Sequence, residues 1–282
     1  MFESLFNDLE KKASQTIKEN EGDYLVDGLL YCGKCHTAKQ VRIEVMGMIR
    51  TPMCLCKCEA EERDRMREEI ERQNMILRIE KMRRVGFPES EMHKWTFAND
   101  DKMNPKTSEI AKRYADNFET MKAKNKGLLL YGTVGTGKSF HAACIVNELI
   151  DKGYPCLMTN FSRLVNTIQG MYAGKQEYID GLNKFALLVI DDLSSERNTE
   201  YMNEIVFNII DSRYRAGLPV IITTNLTNDE IKNPADIQKQ RTYSRLLEMT
   251  IPVNVTGVDR RRMKLKNDYA EFADILGINA TE

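Results

Sequence analysis

The sequence predicts an α/β chain, in which a parallel sheet follows a small cysteine-rich module and a long charged helix. Three observations predict it. Five of the seven cysteines fall between Cys32 and Cys58. The short apolar run Gly127–Tyr131 opens into the glycine-rich segment Gly132-Thr-Val-Gly-Thr-Gly-Lys-Ser139. Phe185–Ile190 is continuously apolar, as a strand covered on both faces is, and it ends in Asp191-Asp192.

Composition bounds the answer. A chain of 282 residues accommodates one large domain or two unequal ones. With 42% hydrophobic and 29% charged residues it reads as an ordinary soluble protein. The 41 Lys+Arg nearly cancel the 42 Asp+Glu. That excludes a polybasic coat or an acidic tail as a description of the whole chain, and leaves room for a local basic groove. No apolar run approaches the ~18 residues that would span a bilayer. The start, MFESLFNDLE, carries acids where a signal peptide would carry bases. The expectation is a cytoplasmic protein with no membrane partner and reduced cysteines.

Residues 1–19 read as a helix with one apolar stripe, Phe2, Leu5, Phe6 and Leu9. It packs either on its own module or on another protein. The knuckle Cys32-Gly-Lys-Cys35 and the group Cys54-Leu-Cys56-Lys-Cys58 then have the spacing of a zinc ribbon. Two short loops each offer two thiolates to one tetrahedral Zn²⁺. So short a segment cannot bury enough apolar surface alone, so metal supplies stability. Four of the five cysteines are needed. Cys32, Cys35, Cys56 and Cys58 are favoured, with Cys54 as the spare or as a replacement for Cys56, and His36 as an outside candidate. The competing readings are unligated thiols or a redox pair; the latter lacks its βαβ setting. Lys39–Met46 is a candidate strand between the knuckles, and Cys58 is expected just before a helix.

Glu59–Arg84 contains neither Gly nor Pro. Acids lead and bases finish, which suits a helix dipole. Glu59–Arg63, Glu61–Arg65, Glu68–Arg72 and Glu80–Arg84 stand at i,i+4. A solvated spacer is the plain reading; a helix that contacts a partner or DNA is the sharper one. Gly86-Phe87-Pro88 ends it.

The segment from Gly132 to Ser139 matches GxxxxGK[ST] between a strand and a helix, which is the context that confirms a phosphate loop. Glycines let backbone N–H groups curl around phosphate oxygens, and the helix N-terminus adds its dipole. The candidate nucleotide contacts are Gly132, Thr133, Val134, Gly135, Thr136, Gly137, Lys138, Ser139 and the following Phe140. Lys138 reaches the β- and γ-phosphates of ATP. Ser139 and Asp191 hold Mg²⁺, and Asp192 polarises the attacking water. A third strand, Leu218–Asn225, ends in an amide on the ligand side of the sheet, where Asn225 orients water near the γ-phosphate with Thr224 assisting. Gln240–Met249 reads as a helix with Arg241 and Arg245 on one face, either as arginine fingers toward a neighbouring subunit or as surface ion pairs. A short strand, Ile251–Val255, precedes Arg260, Arg261 and Arg262, which face nucleotide, DNA or solvent.

The runs Asp191–Glu200, Ile209–Arg215, Ile221–Asn225 and Arg241–Arg245 resemble the DnaC/DnaI-type replicative helicase loaders. These are AAA+ ATPases grouped with IstB-like transposition ATPases. The likeness covers about residues 87–262, and the cysteine-rich module is similar to that of Gram-positive and phage loaders. It implies a five-stranded parallel sheet in the order 5-1-4-3-2 without a substantial C-terminal lid. It implies three parts: residues 1–58, a zinc module with its N-terminal helix that binds the hexameric helicase; 59–86, a helical linker; and 87–282, an ATPase domain that self-associates and contacts single-stranded DNA. Asn225 then takes the sensor-1 role, Asp192 is the catalytic acid, and Arg245 is the finger ahead of Arg241. Ser194 stands where many relatives have Gly. The implied activity is ATP hydrolysis in the delivery of a helicase to single-stranded DNA. The alternatives are an IstB-like transposition helper and a small-molecule P-loop kinase.

Overall fold

A computed structural model describes residues 20–45, 47–87, 89–193, 200–234 and 236–276. The apolar stripe of residues 1–19 and Ser194 lie outside the described residues. The chain divides into two compact units, Met1–Leu77 and Arg78–Glu282.

The first unit holds two small hairpins. β1 (Tyr24–Val26) pairs antiparallel with β2 (Leu29–Tyr31), and β3 (Ile43–Val45) with β4 (Met48–Arg50). Asp27 and Gly28 form the first turn, with φ of 48° and 75°. Two positive φ values in sequence suit the right-handed twist of a two-residue hairpin, and an Asp-Gly pair tolerates them. The strand expected over Lys39–Met46 covers only Ile43–Val45 among the described residues, which do not include Met46. Lys39 is fully buried and ion-paired to Asp23 at 2.8 Å and to Glu59 at 3.0 Å. A buried ammonium needs compensation that a surface arginine does not. Glu59 thus serves Lys39 rather than the expected Arg63.

α1 (Lys57–Gly86) is one uninterrupted helix. It starts at Lys57, so Cys58 lies inside its first turn and not before it. Its exposed charges pair as Arg67–Glu71 at 3.2 Å and Arg72–Glu69 at 2.9 Å, and Arg65 Nε donates to the Glu61 carbonyl. None of the four expected i,i+4 ion pairs is among the ion pairs of the described residues. Such pairs are worth only about 0.3–0.5 kcal/mol, so side-chain entropy readily decides among them. At its end Ile79 and Met82 join the core of the second unit. The last residue of the helix, Gly86, has no room for a side chain: a Cβ there would lie 2.9 Å from the Cys156 carbonyl oxygen.

The second unit is built on β5 (Gly127–Tyr131), β6 (Cys156–Asn160), β7 (Leu187–Leu193), β8 (Val220–Thr224) and β9 (Thr250–Asn254), all parallel, in the order β6-β7-β8-β5-β9. Counted from β5 as the first strand and read from the opposite edge, this is the expected 5-1-4-3-2. Alternation assigns the faces. Leu128 and Leu130 point to one side with Ile145, Val146 and Leu149 of α4 (Lys138–Asp151); α2 (Pro105–Asp116) and α3 (Phe118–Ala123) cover the same side. Leu129, Leu188 and Ile190 point to the other, where α5 (Phe161–Gln169), α6 (Lys175–Gly181), α7 (Glu200–Arg215), α8 (Asn228–Lys232) and α9 (Ile237–Met249) contribute Leu164, Ile179, Ile209, Ile231 and Leu246. Each of these fully buried aliphatic side chains contributes about 1.5–3 kcal/mol. α10 (Arg260–Leu276) follows the last strand.

The helix expected over Gln240–Met249 starts at Ile237 and the strand expected over Ile251–Val255 runs Thr250–Asn254, while β7 and β8 depart from expectation for local reasons. β7 runs past Ile190 because pairing resumes at Leu193 opposite Thr224 after an irregularity. β8 starts only at Val220, since the backbone before it serves Arg213: Pro219 O accepts from Arg213 Nη2 at 2.6 Å. None of the described helices is long and apolar enough to cross a membrane.

Candidate nucleotide site and metal centre

The carboxyl ends of β5, β7 and β8 meet at the N-terminus of α4. Gly132, Gly135 and Gly137 have φ of 143°, 78° and 95°. A Cβ on Gly135 would fall 1.9 Å from Asp259 Oδ1, and one on Gly137 1.8 Å from Arg260 Nη1. Those side-chain ends can move aside, so φ is what requires glycine at both positions, whereas Gly132 requires it twice over, since a Cβ there would lie 2.4 Å from the Val255 carbonyl oxygen. The loop borders a cavity of about 290 Å³ lined in part by Val134, Gly135, Gly137, Lys138, Ser139, Phe140, Asp191, Asp192 and Asn225. Thr133 is exposed, and Thr136 is buried with its hydroxyl on the Thr133 carbonyl at 2.9 Å.

Lys138 donates to Gly132 O at 2.9 Å, Thr133 O at 2.7 Å and Asn225 Oδ1 at 2.8 Å. All three acceptors are neutral. Burial pushes the Lys138 amine below its ordinary range, against the opposing pull of Asp192 and Asp191. An ammonium so placed fits an anionic ligand. Asn225 Nδ2 in turn donates to Asp192 Oδ1 at 3.0 Å. A lysine, an amide and a carboxylate from three separate elements thus form one chain of hydrogen bonds.

Asp191 and Asp192 are held differently. Thr223 Oγ1 donates to Asp191 Oδ1 at 2.5 Å and accepts from the Asp192 backbone N–H at 2.8 Å. Asp192 has φ of 58°, a left-handed conformation that Asp tolerates better than most residues. Adjacent strand residues ordinarily face opposite sides, so this twist accounts for both carboxylates lining one cavity. The oxygen set of Ser139, Asp191 and Asp192 is the hard-donor type that Mg²⁺ takes. Thr224, expected to assist, instead donates to Leu193 O at 2.8 Å and is buried.

Thr223 was not singled out by its sequence, because a threonine in Val220–Thr224 reads as strand propensity. Trp95 also lines the cavity, 6.1 Å from the Phe140 ring; being the chain's one tryptophan was its sole signal. Of the arginine cluster, Arg260 and Arg261 line the cavity. Arg260 Nη1 donates to Thr136 O at 2.9 Å, and Arg260 pairs with Asp101 at 2.8 Å. Arg262 points away, against Asp259 at 3.6 Å and largely exposed.

Arg241 and Arg245 do not line this cavity. Arg245 is ion-paired with Asp211 and stacked 4.6 Å from the Phe207 ring centroid, so it knits α9 to α7. Arg241 is exposed, beside Glu204, Phe207 and Gln238, and among the described residues no ion pair holds it.

In the first unit the Sγ atoms of Cys32, Cys35, Cys56 and Cys58 all lie within 4.8 Å of one another. Cys32–Cys58 is 3.6 Å and Cys56–Cys58 is 3.3 Å. A tetrahedral ion with S ligands at about 2.3 Å needs edges of about 3.8 Å, so the cluster fits zinc. Gly33 N–H donates to Asp23 Oδ1 at 3.0 Å, which ties the knuckle to the buried Lys39 network. Hydrogen bonds from Thr37 and then the Cys58 backbone hold the Cys35 thiol down at about 5, whereas burial pushes the Cys56 thiol up, so the case for zinc rests on the geometry. Cys54 stands outside, donating to Ala38 O at 3.6 Å, and His36 contacts the Tyr24 hydroxyl at 3.1 Å.

The family described as IstB-like ATP binding protein matches residues 58–268. The replicative helicase loader DnaI of Bacillus subtilis is 27% identical over 150 residues, 49% of this chain and 48% of its own length. The helicase loader DnaC of Escherichia coli K12 is 27% identical over 125 residues, 43% of this chain and 50% of its own. A putative insertion sequence ATP-binding protein of Sinorhizobium fredii is 33% identical over 108 residues, 36% of this chain and 35% of its own. The chain thus spans about half or less of the length of these curated relatives. Among solved structures, a crystal structure of DnaI superposes with a TM-score of 0.53 at 24% identity, covering 64% of this chain and 99% of that one. One of the DnaC helicase loader gives 0.51 at 21%, covering 60% and 100%. These two likenesses establish the fold. With the family matching more than half of its residues, and a phosphate loop, paired carboxylates and an Asn at the ends of a 5-1-4-3-2 sheet, the chain belongs to the IstB-like ATP binding protein family.

Proposed function

We propose that this protein is an ATP-driven loader that binds the hexameric replicative helicase and delivers it to single-stranded DNA in the cytoplasm. The observation that carries the proposal is the hydrogen-bonded chain Lys138–Asn225–Asp192. It links the groups that would bind phosphate, sense it and activate water. Asn225, as sensor 1, lies between the other two, so a γ-phosphate that captures Lys138 frees the amide to orient water against Asp192. Asp191 and Ser139 would hold Mg²⁺, with Thr223 orienting Asp191. When bound, that ion neutralises charge developing on the phosphates. The likeness to loaders named DnaI and DnaC supports this reading of its partner. The division of labour expected for residues 1–58, 59–86 and 87–282 is part of the proposal. The zinc module, held by Cys32, Cys35, Cys56 and Cys58, docks the helicase. The ATPase domain contacts DNA and self-associates, with Arg241 or Arg245 reaching a neighbour's nucleotide.

The test is co-purification of the full chain with the replicative helicase of its source, with and without ATP. A stoichiometric complex supports the reading; no complex under either condition overturns it. The match to an insertion sequence ATP-binding protein favours a second reading, a transposition helper. In that case the chain binds a transposase and duplex DNA, and ignores the helicase.

A further inference from the structure

α1 carries an exposed apolar stripe that none of the described residues covers. Met66, Ile70 and Leu77 are 64%, 59% and 63% exposed. At about 100° per residue they fall within ~40° of one another. Ile79 and Met82, which do pack into the core, lie roughly on the opposite side of the helix. The stripe is therefore not the continuation of a buried face.

Around the stripe the residues Glu59, Arg63, Met66, Ile70, Gln73, Leu77, Glu80 and Arg84 are spaced alternately four and three apart. That is the spacing of a coiled-coil seam. We propose that α1 pairs antiparallel with α1 of a second copy of this chain through this seam. The charges choose the direction. In the antiparallel register Met66 meets Leu77 of the partner subunit, and Ile70 meets Gln73 of the partner subunit. Arg63 then meets Glu80 of the partner subunit, and Arg84 meets Glu59 of the partner subunit. Every charged layer is attractive, and two-fold symmetry forms each pair twice. A parallel pair would instead set Glu59, Arg63, Glu80 and Arg84 each against its own copy, four like-charge layers. The single polar Gln73 fixes register within the apolar centre, as polar seam residues do. Glu59 also serves the buried Lys39, so the discriminating pair is Arg63 with Glu80, both exposed.

The experiment is sedimentation velocity on the full chain in the Lys138→Ala background without nucleotide, which separates this pairing from assembly at the ATP site. A concentration-dependent dimer is expected. Ile70→Lys, a good helix former at an exposed position, should leave helicity unchanged and abolish the dimer. Arg63→Glu alone and Glu80→Arg alone should each weaken it by roughly tenfold, since each turns two attractive pairs repulsive. Together they should restore it. Within one chain the two positions are ~25 Å apart along the helix, so restoration can come only from the antiparallel partner. A monomer at every concentration, a dimer indifferent to Ile70→Lys, or a double variant no better than the singles would each overturn the proposal.

Discussion

Lys138 Nζ donates to Asn225 Oδ1 at 2.8 Å, joining two residues far apart in sequence across the mouth of the phosphate loop. The same Asn225 donates to Asp192. Binding and hydrolysis should therefore separate by residue. Lys138→Ala should lose nucleotide affinity in calorimetry while the fold survives. Asn225→Ala should bind ATP and lose turnover by ~10²-fold, as loss of one preorganised polar group does. Asp192→Asn should retain ATP and Mg²⁺ and also lose turnover. Full hydrolysis by either of the last two variants would contradict the assigned roles.

Thr223 gives a second prediction. Its hydroxyl sits between Asp191 and the Asp192 backbone N–H. Thr223→Val preserves shape and β-branching but leaves the carboxylate unoriented. Loss of an outer partner of a metal ligand typically costs 10–100-fold in affinity. A Mg²⁺ titration of ATP hydrolysis should show that shift, with the unlinked N–H costing a further ~1–3 kcal/mol in stability. An unchanged Mg²⁺ midpoint would assign Thr223 to the sheet alone.

What the sequence made legible was local. Gly132–Ser139 announces itself because its chemistry is contiguous, and Asp191 and Asn225 because they end apolar runs. The five-strand order came through the resemblance rather than from periodicity. Thr223 and Trp95 were hidden because their partners arrive from distant strands and helices. The charge pairs of α1 were misjudged for a related reason. Spacing alone names every i,i+4 partner, but a buried Lys39 outcompetes Arg63 for Glu59. Arg260 carried an ambiguous signal until the backbone placed Asp101 and Thr136 O beside it.

The cysteine cluster predicts one zinc per chain by elemental analysis. Cys32→Ser and Cys56→Ser should each release the metal and unfold the first unit, because the ion supplies stability the hairpins lack. Cys54→Ser should keep the metal, since Cys54 turns to the Ala38 carbonyl. Zinc retained in Cys56→Ser and lost in Cys54→Ser would exchange the two.

Arg241 and Arg245 should behave differently. Arg245→Ala, at a side chain 34% exposed, removes the Asp211 ion pair and the Phe207 stack, and should cost about 1–2 kcal/mol of stability. Arg241→Ala should leave the Tm unchanged. A trans-acting finger at either position would lower assembly-dependent hydrolysis by up to ~10³-fold. Mixing such a variant with Lys138→Ala chains should recover activity at mixed interfaces; a mixture as inactive as its parts while still assembling excludes a finger in trans.

The most direct measurement of the central claim is deposition of the ring helicase on circular single-stranded DNA. A circle has no end to thread, so a closed ring arrives only if it is opened. The full chain with ATP should place helicase on the circle, Lys138→Ala should not, and omission of the chain should leave the circle bare. Equal deposition with and without the chain, or by the Lys138→Ala variant, would contradict an ATP-dependent loader.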